Sequence, residues 1–204
     1  MMEINRVTVD DARELLEIYA PYVMETAISL EYEVPSIEEF QHRIKTISSR
    51  LPYIKAVDDH NRIIGYAYAG SFKTRKGYDW SVETTVYVKR EFRNRGVGKQ
   101  LYEMLEQSLR DIGILNMNAC IIVPREVDEH LTMDSIRFHE KMGFSLVGTF
   151  HQSGYKLNAW HDVTWMEKLL APHQVDQSPV RFGDWQISQE KVKRVDCCIE
   201  NVFV

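Results

Sequence analysis

A short segment rich in glycine and arginine carries the clearest chemical signal in the sequence. It reads Arg93-Asn94-Arg95-Gly96-Val97-Gly98-Lys99. A helix that begins here would present unsatisfied N–H groups and a partial positive charge, which together bind phosphate well. Gly96 and Gly98 would let the backbone approach a bulky pyrophosphate and adopt positive φ. The segment therefore predicts a pyrophosphate site, with Arg93, Arg95 and Lys99 adding positive charge.

Two better-known phosphate loops do not fit this segment. A P-loop needs Ser or Thr directly after Gly-Lys, whereas Gln100 follows Lys99. The dinucleotide fingerprint needs Gly or Ala where this chain has Leu101. The structural alternative is a glycine-containing loop that only begins a helix, with its basic side chains in solvent.

The elements around the loop are a predicted strand and a predicted amphipathic helix. Residues 80–88 are largely apolar, and apolar residues recur at helical spacing from Val97 to Ile112, just before Gly113. Further strands are predicted at 4–9, 51–57, 62–72, 115–123, 144–150 and 163–169, and helices from Asp10, at 36–48 and at 135–142. This order predicts an α/β (α+β) fold, a mixed, mostly antiparallel twisted sheet flanked by helices.

Composition narrows the classes of function. The 204 residues are 44% hydrophobic with a formal net charge of -5, which suits one core and gives no global attraction for nucleic acid or an anionic membrane. We find no membrane-spanning run, secretory signal, disulfide framework or zinc spacing. We therefore expect a cytoplasmic protein without a metal. A domain is predicted over 1–170, followed by a C-terminal extension of unknown role over 171–204.

Several runs of residues resemble a known superfamily. The pattern R-x-x-G-x-G after Val86-Tyr87-Val88, and the later Phe138–Phe144, are similar to landmarks of the GNAT N-acetyltransferases. Longer runs resemble the phosphinothricin N-acetyltransferases, and these are Glu25–Ser29, Gly65–Ala69, Tyr78–Val88, Gly154–Lys156 and Trp160–Val163. The similarity covers about residues 3 to 169. It implies a GNAT-like fold, acetyl-CoA as the co-substrate and a homodimer.

Two residues are candidates for proton transfer. Glu83 lies in an otherwise apolar strand, where its carboxylate would have a raised pKa and act as a general base, the role that the resemblance also implies. The alternative for Glu83 is a salt-bridged strand residue. His139 stands where many members of the superfamily carry Tyr, and it would protonate the coenzyme A thiolate or hydrogen-bond the cofactor. The alternative for His139 is a structural role.

The resemblance also implies contacts with the cofactor and the acceptor. Val86, Tyr87 and Val88 would line the cofactor, with a backbone N–H of Val86 or Val88 polarising the thioester carbonyl. Ser135 would face the pantetheine arm, and Thr132 stands where most relatives carry Asn. The expected acceptor contacts are Arg75, Tyr78, Thr85 and Tyr155, with Lys73 and Lys156 nearby. Leu30 lies where relatives often carry Phe.

The function expected from these observations is transfer of an acetyl group to a small amino-acid-like acceptor of the phosphinothricin, methionine sulfoximine or methionine sulfone type. Arginine and tyrosine suit such acceptors because they donate to oxyanions. Two alternatives stay open. One is acetylation of a protein or peptide by the same fold, and the other is a regulatory module that binds coenzyme A without catalysis.

Overall fold

The computed structural model describes residues 2–124 and 130–187. Within these ranges the chain forms a mixed fold with one seven-stranded sheet, as the sequence predicts. Its elements are β1 (Glu3–Arg6), α1 (Ala12–Glu25), α2 (Ile37–Ser48), β2 (Tyr53–Val57), β3 (Ile63–Ser71), β4 (Ser81–Val88), α3 (Val97–Ile112), β5 (Asn116–Val123), α4 (Asp134–Lys141), β6 (Ser145–Lys156) and β7 (Ala159–Leu169).

The sheet opens at its centre. Its strand order is β1-β2-β3-β4-β5-β7-β6, and every neighbouring pair is antiparallel except β4 and β5. These two parallel strands pair only over Ser81–Glu83 and Asn116–Asn118. Beyond that point β4 continues to pair with β3, while β5 continues to pair with β7. The C-terminal halves of β4 and β5 therefore diverge and leave a gap in the middle of the sheet.

Helices cover both faces of the sheet and form two cores. On one face α3 contributes its apolar stripe, and Leu101, Leu105 and Leu109 are fully buried there. On the other face α1 and α2 enclose a core rich in tyrosine. The predicted ends of α3 are confirmed, and Gly113 ends the helix in the left-handed region at φ 93°. The predicted cap of α2 is also present, because the Ser36 hydroxyl accepts a hydrogen bond from the Glu39 N–H at 3.1 Å.

The last hairpin differs from the prediction. Strand β6 extends to Lys156 and β7 begins at Ala159, so both strands are longer than the sequence pattern indicates. β6 is the edge strand, and most of its side chains are exposed on both faces, so the alternation of a half-buried strand is missing. A bulge that includes Gln152 at φ 51° interrupts it further. The turn places Leu157 and Asn158 at positive φ without the usual glycine.

The segment 171–187 folds back along the α3 face. Trp185 is only 2% exposed, and the guanidinium of Arg6 stacks over its ring at 3.8 Å from the centroid. Arg6 also donates a hydrogen bond to the Trp185 carbonyl, and the Ser108 hydroxyl donates to the Gln186 carbonyl at 3.0 Å. The segment thus joins β1 to α3 through one buried aromatic ring.

Each helix within residues 2–124 and 130–187 is too short or too polar to cross a membrane. In the same ranges no cluster of His, Cys, Asp and Glu has the arrangement of a metal site. Cys197 and Cys198 lie outside the described residues.

The buried ring of Trp185 predicts a structural role for this segment. Trp185→Ala should lower the free energy of unfolding by about 3 to 5 kcal/mol, because it leaves a cavity in a packed core. Chemical denaturation measures the change. Val175→Ala is the matched control, since the Val175 side chain is fully exposed. Equal unfolding midpoints for the two variants would contradict the prediction.

Candidate functional site

A cavity of about 560 Å³ occupies the gap between β4 and β5. Its walls come from the second half of β4, the loop into α3, the first turn of α3, β5 and α4. Most of the predicted site residues line it, namely Glu83, Thr85, Val86, Tyr87, Val88, Arg93, Asn94, Gly96, Val97, Gly98, Lys99, Thr132, Ser135 and His139. The fold therefore brings the predicted phosphate loop and the predicted base into one cavity.

Gly96 shapes the end of the cavity at the helix start. It caps α3 with φ 80° and ψ 0°, a left-handed conformation that disfavours a side chain. A Cβ at this position would meet no other atom within 4 Å, so the backbone conformation, not lack of space, requires glycine. The first N–H groups of α3 have no partner within the helix and face this end of the cavity. The geometry is that of an anion-binding helix N-terminus.

Gly98 plays a different part from the one predicted. Its backbone is not in the positive-φ region, so the expectation of positive φ is wrong for this glycine. A Cβ here would lie 3.4 Å from the Phe138 ring. Gly98 therefore permits close contact between α3 and α4. Arg95 also departs from the cavity lining, because its guanidinium lies 5.5 Å from the Phe92 ring centroid.

The exposed edge of β4 offers backbone hydrogen-bonding groups to the gap. Lys89 donates to the Ile64 carbonyl and Phe72 donates to the Ser81 carbonyl, so the odd-numbered residues of β4 pair with β3. The N–H groups of Val86 and Val88 consequently point towards the gap. An extended ligand that carries amides could pair with this edge as a strand would.

Tyr22 already occupies part of that edge. Its hydroxyl donates to the Val88 carbonyl at 2.6 Å and accepts from the Val88 N–H at 3.2 Å. The Arg93 guanidinium lies over the same ring, 4.8 Å from its centroid. Tyr22 therefore links α1 to the phosphate loop and covers the backbone of Val88, and the N–H of Val86 is the donor nearer to Glu83.

Glu83 is the last residue of β4 that pairs with β5. Burial raises the pKa of its carboxyl above the ordinary value, and the ammonium of Lys73 opposes that rise. Within the described residues, no side chain hydrogen-bonds this carboxylate. Glu83 thus has a raised pKa and a carboxylate that is free to accept a proton from a ligand.

The thiol of Cys120 lies in the same cavity, across from Glu83. Burial raises its pKa to about 11, and the charge of Glu83 adds to the rise. Because a thiol reacts as the thiolate, this cysteine is a poor nucleophile at neutral pH. Of Cys120 and Glu83, the carboxylate of Glu83 is therefore the better candidate for the reacting group.

His139 is buried between two hydrogen-bond partners. Its Nδ1 lies 2.7 Å from the Ser135 carbonyl, which can only accept, so Nδ1 carries the hydrogen. Burial lowers the pKa of the imidazole, and the bond to Ser135 opposes that shift. Nε2 lies 2.9 Å from the Tyr102 hydroxyl, which also donates to the Thr84 hydroxyl at 3.2 Å. The two side chains form a coupled pair on the wall of the cavity.

Three predicted acceptor residues, Arg75, Tyr78 and Tyr155, do not line the cavity. Tyr78 packs edge-on against Phe72, and Phe72 in turn packs against Trp165. The Lys73 ammonium lies over both Phe72 and Trp165, at 5.0 Å and 5.8 Å from the ring centroids. Arg75 precedes Tyr78 on the same exposed turn. These groups form an aromatic and basic surface at the Glu83 end.

The β6–β7 hairpin carries Tyr155 and Lys156, both predicted to lie at or near the acceptor. Tyr155 is exposed and packs against Trp160, with 5.1 Å between the ring centroids. Lys156 is only 4% exposed, and its ammonium donates to the carbonyls of Val23 and Ser29, each at 2.6 Å. The expectation that Lys156 contacts the acceptor is therefore replaced by an internal role.

Sequence reasoning missed Tyr22, Tyr102 and Cys120, all of which line the cavity. Tyr22 follows Leu15 and Tyr19 at helical spacing, and Tyr102 adjoins the apolar stripe of α3. Both residues were visible as buried positions of a helix. A tyrosine on a buried helix face usually needs a hydrogen-bond partner, and that need was the available signal.

Comparisons with known proteins agree with this geometry. A family model described as the acetyltransferase (GNAT) domain matches residues 4–165. The phosphinothricin N-acetyltransferase of Streptomyces viridochromogenes is 30% identical over 167 residues, which cover 82% of this chain and 87% of that protein. An L-methionine sulfoximine/L-methionine sulfone acetyltransferase of Pseudomonas paraeruginosa is 33% identical over 121 residues, 59% of this chain and 66% of that protein.

A solved structure shares the fold over nearly the full length. The phosphinothricin acetyltransferase of Sinorhizobium meliloti, crystallised in complex with acetyl-CoA, superposes with a TM-score of 0.78. It is 28% identical in sequence, and the match covers 93% of this chain and 97% of that one.

The geometry at Gly96 predicts that charge there controls anion binding. Gly96→Asp should weaken the binding of acetyl-CoA, the ligand of the Sinorhizobium protein, by at least about tenfold, or roughly 1.4 kcal/mol. Gly96→Asn is the matched control, because asparagine has the same size, tolerates the left-handed region and lacks the charge. Calorimetry measures both affinities. Equal affinities for the two variants would contradict a pyrophosphate site at this helix start.

Proposed function

The chain belongs to the GNAT acetyltransferase family, and we propose that it transfers the acetyl group of acetyl-CoA to the α-amine of a small amino-acid-like acceptor with a phosphinyl, sulfoximine or sulfone end. The observation that carries the proposal is that Glu83, with its raised pKa, lines the same cavity as the start of α3, where we predict the phosphates to bind. The acceptor class is supported by the names of the Streptomyces and Pseudomonas relatives.

The donor substrate fits the cavity by the chemistry of its walls. The start of α3, with Gly96 and Lys99, would hold the pyrophosphate. The edge of β4 would pair with the amides of the pantetheine arm, and Ser135 and Thr132 on the opposite wall would hydrogen-bond it. The acetyl thioester would then lie at the N-terminal part of the gap, close to Val86 and Glu83.

Glu83 is assigned the role of general base. The acceptor amine loses a proton to its carboxylate, directly or through water, and attacks the thioester carbonyl. The N–H of Val86 donates to the carbonyl oxygen as negative charge develops there. The tetrahedral intermediate then collapses, forming the amide and releasing the coenzyme A thiolate. The raised pKa of Glu83 matches it to this task near neutral pH.

The released thiolate takes up a proton. We assign this step to the Tyr102–His139 pair, in which the Tyr102 hydroxyl gives the proton and solvent restores it, because the two side chains share a hydrogen bond and both line the cavity. Direct transfer is favoured over an acetylated cysteine, since the pKa of Cys120 is raised to about 11.

The acceptor would bind at the aromatic and basic surface beside Glu83. Lys73 and Arg75 supply positive charge for a carboxylate or a phosphinyl oxygen, and Tyr78 supplies a hydroxyl donor. Thr85 lines the cavity two residues beyond the base. Arg75 and Tyr78 lie on an exposed turn, so an acceptor that binds here would cover their side chains.

A homodimer is part of the proposal. Strand β6 is an exposed edge, and it presents Leu146, Val147 and Phe150 to solvent, with Phe150 60% exposed. A long apolar edge strand is a liability unless another surface covers it. A second copy of this chain is the proposed cover. The cytoplasmic location stays a prediction from the sequence.

The assignment of Glu83 as the base predicts that its substitution lowers the rate strongly without lowering the affinity for acetyl-CoA. Glu83→Gln should lower kcat by roughly a hundredfold while the affinity for acetyl-CoA holds, because only the proton acceptor is removed. In the parent, kcat/KM should fall as pH drops through the raised pKa of Glu83, and this acidic limb should vanish in the variant. Glu17→Gln, at an exposed position of α1, is the control. A variant within threefold of the parent would refute the assignment.

The acceptor assignment predicts a defect in binding. Arg75→Ala should raise the KM for methionine sulfone by roughly tenfold and change kcat much less, because it removes an interaction made before the transition state. Arg13→Ala, exposed on α1, controls for the loss of a surface charge. Release of free thiol measures turnover. A higher kcat/KM for spermidine or a peptide N-terminus than for the amino-acid analogues would overturn the acceptor class and leave the acetyltransferase intact.

A further inference from the structure

The segment between α1 and α2 forms one wall of the reaction cavity. It supplies Ile28 and Leu30 to the lining, on the same cavity as Glu83. The segment has no regular secondary structure of its own, so its position depends on a few specific contacts. Some of these contacts come from α1 and α2, where Tyr19 bonds Ser29 and Arg43 pairs with Glu31. Others come from the end of the β6–β7 hairpin, which does not line the cavity.

Lys156 contributes two hydrogen bonds that hold the start of this segment. Its buried ammonium donates to the carbonyl of Ser29, within the segment, and to that of Val23, at the end of α1. The Lys156 carbonyl is itself held, because His161 Nε2 donates to it at 3.0 Å. A buried charge that satisfies two carbonyls fixes their separation, since losing it would leave both groups without a partner. Lys156 therefore holds Ser29 against α1, together with the Tyr19 hydroxyl, which lies 2.7 Å from the Ser29 hydroxyl.

Gly154 fixes the neighbouring side chain. Its backbone is outside the positive-φ region, so backbone conformation does not require glycine at this position. A Cβ on Gly154 would instead lie 2.7 Å from Leu30 Cδ1 and 3.3 Å from Leu30 Cδ2. Because Gly154 has no side chain, Leu30 packs into the space that a Cβ would occupy.

Leu30 lies between this space and the cavity. A Cβ in this space would push the Leu30 side chain towards the cavity, because the leucine methyl groups can move more easily than the strand backbone. Gly154 and Lys156 do not line the cavity, but through Leu30 they affect the volume of the cavity that Glu83 also lines.

We propose that Gly154 and Lys156 are positioning residues that set the longest acceptor the enzyme accepts, acting through Leu30. The proposal rests on the proposed function, because it concerns the acceptor of that reaction. It assigns a specificity role to the Gly-Tyr-Lys run of the hairpin, and it explains why a buried lysine ends that strand.

The test uses three acceptors that differ by one methylene each, which are S-methylcysteine sulfone, methionine sulfone and ethionine sulfone. Gly154→Ala should raise the KM for methionine sulfone about fivefold, and that for ethionine sulfone more. The KM for S-methylcysteine sulfone, the KM for acetyl-CoA and kcat should each stay within about twofold. The double variant Gly154→Ala/Leu30→Ala should restore the longer acceptors, because the displaced side chain is gone.

Lys156→Met tests the second residue with a side chain of similar length and no charge. It should raise the KM for all three acceptors and flatten the difference between them, while the KM for acetyl-CoA holds. Lys45→Met, at an exposed position of α2, is the control. If Lys156→Met does not fold, the Gly154 and Leu30 variants decide the proposal alone.

Two results would overturn the proposal. One is an equal rise in KM for all three acceptors in Gly154→Ala, and the other is a double variant that restores nothing. Failure of the proposed function is seen separately, in the parent enzyme. A parent that acetylates none of the three sulfones overturns the acceptor assignment and this inference together, whereas normal parent activity with unchanged length preference in the variants overturns this inference alone.

Discussion

The early end of backbone pairing between β4 and β5 is the constraint on which the rest of the site depends. After Glu83 the ladder is replaced by side-chain bonds, since Asn118 donates to the Val82 carbonyl and the Thr84 hydroxyl donates to the Asn118 carbonyl. These bonds satisfy the last polar groups at the junction, so the two strands can separate without leaving buried groups unsatisfied. The gap beyond them exposes one edge of β4 in the middle of a sheet, where a ligand can take the place of a strand.

Burial then decides the charge of each group around that gap. It raises the pKa of Glu83 and of Cys120 and lowers that of His139, so the thiol and the imidazole are held neutral while the carboxylate becomes a better base. In the proposed function, the positive charges for the donor would come instead from the loop at the start of α3. A chain with a formal net charge of -5 can in this way hold a multiply charged anion at one local site.

The sequence pattern predicted an element correctly where one local feature of the sequence determines that element. The start of α3 at Val97 and its end at Gly113 could be predicted, because helical spacing and glycine conformation act locally. The two strands of the β6–β7 hairpin were predicted as well, but their full length and their turn were not, because an exposed edge strand with a bulge carries no alternation. The contacts of Tyr22 and Lys156 were equally out of reach, since their partners lie 66 and more than 120 residues away in sequence. The sequence comparison placed Lys156 near the acceptor, and only the tertiary fold shows it buried.

The position of Glu83 explains how one cavity serves two substrates. As the last paired residue, it stands on a rigid part of the sheet, while the edge beyond it is open to the donor. The phosphate loop lies at the far end of that edge, and the aromatic and basic surface of Lys73 and Phe72 lies at the near end. Donor and acceptor would therefore enter from opposite ends and meet where β4 leaves β5. A base on a mobile loop would have to be ordered by each substrate, whereas here the sheet itself would hold the proposed base between them.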